Sequence, residues 1–119
     1  NVVRWSILLE GPPNSPYQGG KFDLRVELDE DYPNKPPSLR FHTKIWHPSV
    51  ADDGRLCEGL LKDWSPTSSI RDVVPLVITL LVDPKGHAVL NEVAAQELSE
   101  NPNQFANNAQ RMTKKHALV

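Results

Sequence analysis

Thiol is scarce in this sequence: Cys57 is the single cysteine among 119 residues. One thiol excludes an internal disulfide framework and a zinc site built from several thiolates. Any covalent sulfur chemistry must therefore run through Cys57. No hydrophobic run approaches the roughly 20 apolar residues that cross a bilayer, and no signal-peptide pattern opens the chain. No membrane partner is expected, and the reducing cytoplasm or nucleus is the expected home. Excess charge is small as well, 13 Lys and Arg against 15 Asp and Glu, for a net charge of −2. Nucleic acid needs a basic face, so it is not an expected partner. Repeats and low-complexity tracts are missing, and the length suits one domain.

Proline is abundant, with 11 residues, among them the clusters at Pro12-Pro13, Pro33, Pro36-Pro37 and Pro66. Aromatic and β-branched runs lie between these clusters, which points to rigid loops. Val2 to Leu9 reads as a strand ending at the turn Gly11-Pro12-Pro13-Asn14. Lys21 to Leu28 alternates strictly and puts Phe22, Leu24, Val26 and Leu28 on one face. Leu39 to Ile45 is a third strand candidate, and the short connections imply an antiparallel meander. Ser49 to Thr67 shows no period and reads as a long, functional loop. Ser69 with Asp72 resembles a capping box opening a nearly all-apolar, central buried helix over 70–82. Pro75 removes an amide donor within it and should kink it. Leu90 to Leu98, and Asn101-Pro102 to Lys115, read as two further helices, the second capped by Asn101. The expected class is α+β: a small antiparallel meander packed on the central helix, followed by two C-terminal helices.

Pro16-Tyr17-Gln18-Gly19-Gly20 with Phe22, Tyr32-Pro33-x-x-Pro36-Pro37, His47-Pro48, the Cys57 context and Trp64-Ser65-Pro66 follow one another in order. This ordered set resembles the ubiquitin-conjugating enzyme family over essentially the whole chain. The resemblance implies a ubiquitin-conjugating catalytic core domain over 1–119, without the family's amino-terminal helix and first strand. It implies a transferase that accepts ubiquitin, or a related modifier, on Cys57 as a thioester from an activating enzyme. A ligase then helps pass the cargo to a substrate lysine or a ligase cysteine. No bound cofactor is expected, because a thioester forms and discharges without metal or coenzyme, and ATP is used by the upstream activating enzyme. A lone cysteine is commonly an inert buried residue, but the loop context favours the thioester role. Glu58, next to it, disfavours a thiolate electrostatically and suits a surface salt bridge. The chain is expected to act as a monomer.

Two departures from the family pattern bear on chemistry. The family has Asn eight positions before the cysteine, where this chain has Ser49, and the resemblance gives that Asn to oxyanion stabilisation or to bracing the loop. A serine hydroxyl is a shorter donor than an amide, so partial replacement is expected; the alternative is that Ser49 caps a turn beside Pro48. His47 is expected to be a hydrogen-bonded structural residue, not a base or a metal ligand. Family members often carry an acidic residue after Asp-Pro that deprotonates an incoming lysine. Here Asp83-Pro84 is followed by Lys85-Gly86-His87-Ala88, and Ala88, or His87 if the gap shifts, takes that position. His87 is expected to be exposed, with service as a base the alternative.

The amine-activating parts are thus thinned while the thiol remains, which predicts transfer to a thiol in preference to lysine. The resemblance places ligase contacts at Asn34, Ser65 and Pro66, with Asn34 standing where ligase-binding members often have Phe. The rival reading is a non-catalytic variant that binds ubiquitin or a ligase. A modifier other than ubiquitin is a third, in keeping with the one-residue-shorter spacing from Cys57 to Trp64.

Overall fold

The computed structural model describes residues 2–56 and 58–117, with the backbone alone at Glu58. Three strands, β1 (Val3–Glu10), β2 (Lys21–Leu28) and β3 (Ser38–Phe41), form one sheet in the order β1-β2-β3. Both pairings are antiparallel, with Leu9 opposite Phe22 and Leu24 opposite Phe41. The alternation of β2 places Phe22, Leu24, Val26 and Leu28 in the core. Opposite them on β1, Leu9 is buried, whereas Trp5 and Val3 are 49% and 48% exposed. Directly opposed residues share a face, so the β1 end of the core-facing surface is uncovered among the described residues.

β3 is shorter than the expected Leu39 to Ile45. His42 N–H still donates to Asp23 O, but the next rung, Asp23 N–H, is taken by the Thr43 hydroxyl. A side chain replaces a backbone carbonyl there, and the chain leaves the sheet.

Helix α1 (Ile70–Val82) has the expected bounds. Ser69 N–H donates to the Asp72 carboxylate at 2.8 Å, and Asp72 N–H donates to Ser69 O. Val73, Val77, Leu80 and Leu81 recur at helical spacing and are buried against the sheet. Leu76 and Val82 on the other side are exposed, so this apolar helix buries one face and not its whole circumference. The helix continues through Pro75, whose carbonyl accepts from the Thr79 hydroxyl.

Helix α2 (Glu92–Glu100) begins two residues later than expected. The amides of Leu90 and Asn91 are drawn to Pro48 O instead, and the Asn91 side chain caps Ala94 N. Asn101 then serves two helices. Its N–H donates to Glu97 O to end α2, and its side chain accepts from Gln104 N to start α3 (Pro102–His116). Asn101→Ala is expected to cost about 1 kcal/mol, with Asn101→Asp restoring most of it, measured as the urea midpoint. Among the described residues no helix is long and apolar enough to cross a membrane.

Candidate active site

The segment His47-Pro48-Ser49 is fixed from three sides. Its histidine is fully buried, and Nε2 lies 2.9 Å from Leu80 O. That carbonyl belongs to the last turn of α1, and the residue four further on is Pro84, which has no N–H to give it. His47 therefore closes an end of α1 that the backbone cannot close. Since a carbonyl only accepts, Nε2 carries the proton, and Nδ1 is left to accept from Ser49 N–H at 2.9 Å. Burial lowers the His47 pKa to about 4, against the pull of the Leu80 carbonyl, and nearby His87 pushes it the same way as burial.

Tyr17 holds the other side. The buried phenol donates to Trp46 O at 2.6 Å, and its ring lies 6.1 Å from the His47 ring. Desolvation pushes this phenol far up, so it stays protonated and donating. Pro48 is bound through its carbonyl to the amides of Leu90 and Asn91, at 2.8 and 2.9 Å. Both ring nitrogens of His47 are thus engaged in the fold, which leaves neither free to move a proton.

Ser49 is also fully buried, and its backbone, not its side chain, makes the turn contact to His47. Among the described residues Ser49 Oγ is the one buried side-chain polar atom with no hydrogen-bond partner. It is a hydroxyl with donor capacity to spare.

The approach to Cys57 is built on β3. Phe41 N–H donates to Gly54 O, Arg40 bridges to Arg55, and Val50 bridges to Leu56. Gly54 has φ +93°, and a Cβ there would run into the Phe41 carbonyl, so the turn requires glycine. A 3-10 turn, Glu58–Leu61, follows in the stretch where the sequence shows no period. Cys57 itself, and the Glu58 side chain, lie outside the described residues.

The loop after α1 runs beside His47-Pro48-Ser49. Ala88 is exposed, and His87 is half-buried, with Nε2 3.2 Å from Asp83 O, so it is less free than expected. A cleft of about 390 Å³ lies here, lined by Pro48, Pro84, His87, Val89, Leu98 and Pro102. Among the described residues no cluster of His, Cys, Asp or Glu could hold a metal ion.

Trp64 joins the two expected ligase loops. Its indole N–H donates to Pro33 O at 2.8 Å, and its ring stands 5.8 Å from Tyr32. Asn34 and Pro66 are exposed on these linked loops, with Ser65 half-buried and bonded to Thr67. Sequence reasoning did not find the Tyr17–Trp46 or His47–Leu80 bonds. Pro84, four residues after Leu80, is the one sequence signal that pointed to the second.

The three-stranded meander, helix α1 and the fixed His47-Pro48 segment, ten residues before Cys57 in sequence, frame the site. A family model described as ubiquitin-conjugating enzyme matches residues 1–113, and the chain belongs to that family. Ubiquitin conjugating enzyme E2 B of Dictyostelium discoideum is 36% identical over 118 residues, covering 98% of this chain and 80% of its own length. Ubiquitin-conjugating enzyme E2 22 of Arabidopsis thaliana is 41% identical over 110 residues, 92% of this chain and 44% of its own length. The crystal structure of a ubiquitin conjugating enzyme from Plasmodium yoelii superposes with a TM-score of 0.91 at 35% identity, covering 98% of this chain and 77% of that one.

Proposed function

We propose that this protein carries ubiquitin, or a related modifier, as a thioester on Cys57. The Cys57 sulfur attacks the thioester carbonyl presented by the activating enzyme, the new C–S bond forms, and the activating enzyme's thiol departs with the proton. ATP is spent upstream, and no cofactor takes part. A ligase, received on the loops holding Asn34, Ser65 and Pro66, then helps direct the cargo to a ligase thiol or a substrate lysine. The protein acts as a monomer, in the cytoplasm or nucleus where thiols stay reduced.

The supporting observation is the match of residues 1–113 to the family together with the pinned His47-Pro48-Ser49 segment beside the Asp83–Leu90 loop. The preferred acceptor is a thiol. The loop Pro84–Leu90 carries no carboxylate to take a proton from an ammonium, whereas a cysteine ionises far more easily. In the test, the protein is loaded with activating enzyme, ATP and ubiquitin, then given free cysteine or free lysine at the same concentration. Discharge to cysteine is expected to be faster. Faster discharge to lysine removes the thiol preference, and failure to load with any modifier removes the carrier role in favour of a non-catalytic binding module.

A further inference from the structure

Another cleft, about 380 Å³, lies away from the Pro48–His87 cleft, between the segment before His47 and the last turns of α3. Trp46 and Met112 supply its apolar lining, and Lys44, Arg111, Lys115 and His116 surround them. Lys44, Arg111, Lys115 and His116 are exposed, and among the described residues none of them takes part in an ion pair. The chain as a whole is net negative, so this concentration of cations runs against its overall sign.

Surface cations are ordinarily just solvated. The difference here is a concave apolar floor held in place from behind. The Trp46 indole N–H donates to Glu97 Oε1 at 2.9 Å, and the Asn108 amide donates to Glu97 Oε2 at 2.8 Å. Both oxygens of that carboxylate are occupied, so Glu97 fixes the indole while its own charge is engaged with two donors. The Tyr17 phenol bonds the Trp46 carbonyl from the core side. A ring immobilised in advance loses little conformational freedom when something packs on it.

We propose that this basic groove docks an acidic segment of a partner protein, with one apolar side chain on Trp46 and Met112 and flanking carboxylates on Lys44, Arg111 and Lys115. Charge complementarity selects this occupant. Cations around an aromatic anchor match carboxylates around an apolar side chain, and such pairing sets both encounter rate and specificity. The groove adds a recognition surface to the transfer function and does not depend on the thioester at Cys57.

The probe is a fluorescein-labelled nonapeptide of alternating glutamate and aspartate around one central phenylalanine, read by fluorescence anisotropy. Its control carries glutamine and asparagine in place of the acids. The acidic peptide is expected to bind about tenfold or more tightly than the amide control, and to weaken as salt is raised. Arg111→Glu with Lys115→Glu is expected to remove at least about tenfold in affinity, while Arg111→Lys with Lys115→Arg holds it within about twofold. Circular dichroism and the melting temperature check that each variant is folded. Equal binding of the amide peptide, or unchanged binding after charge reversal in a folded variant, overturns the proposal. So does tighter binding of an oligonucleotide of equal charge, which assigns the groove to nucleic acid. Self-association abolished by the same reversal, seen in sedimentation, assigns it to a second copy of the chain.

Discussion

His47→Ala is expected to lose about 3–5 kcal/mol of folding free energy, measured by urea unfolding at neutral pH. The substitution orphans two buried backbone groups at once, the Leu80 carbonyl and the Ser49 amide. Each unpaired group costs about 1–3 kcal/mol, and the vacated ring space adds to it. The sum is a large share of the 5–15 kcal/mol or so that holds a typical domain together. His47→Gln, whose amide can donate to Leu80 O, should recover part of the loss; a loss no smaller than that of alanine would show that ring volume, not the bond, is what counts. The same histidine sets a pH dependence. Its folded pKa is about 4 against 6.5 for the free side chain. Between those values the unfolded chain binds the proton and the folded chain does not, so stability rises with pH there. The contribution is fully present above about pH 6.5 and is lost as pH falls toward 4, by roughly 3 kcal/mol. A chain carrying glutamine at this position should lack that component.

Ser49→Ala is expected to slow discharge to lysine about tenfold while leaving stability unchanged or raised by about 1 kcal/mol. The two readouts separate two roles. Because Oγ has no partner among the described residues, deleting it removes a buried unsatisfied group and no bond seen there. If that spare donor turns toward the oxyanion formed when an amine attacks the thioester, its loss appears only in transfer. A full oxyanion donor is worth about 10²–10³ in rate, and a serine in place of an amide supplies a fraction of this. Discharge to cysteine should change less. Lower stability with lysine discharge unaltered would make Ser49 a structural residue and end the oxyanion reading. Both rates come from single-turnover discharge of the loaded protein.

The elements legible in the sequence are those whose signals are local. β2 is read from strict alternation, and α1 from its capping pair and apolar spacing, and both have the expected bounds. The elements misjudged are those set by a distant partner. β3 stops early because Thr43 answers Asp23, and α2 starts late because Pro48 O draws two amides from the residues before it. Neither contact leaves a periodicity to find. At the candidate site, the resemblance singled out His47, Ser49, Cys57 and the loops of Asn34 and Ser65-Pro66. The reason His47 is needed, a helix end left open by Pro84, emerges only when residues 33 apart in sequence meet. The groove around Trp46 was invisible because its cations come from segments far apart in sequence, and the net charge of the chain conceals them.

A thioester on Cys57 is read most directly from the intact mass of the protein after incubation with activating enzyme, ATP and ubiquitin. One added ubiquitin, less a water, is predicted. The adduct should map to the peptide containing Cys57, vanish with reducing thiol, and be missing from Cys57→Ala. An adduct that survives the thiol, or one that persists in Cys57→Ala, would contradict the account.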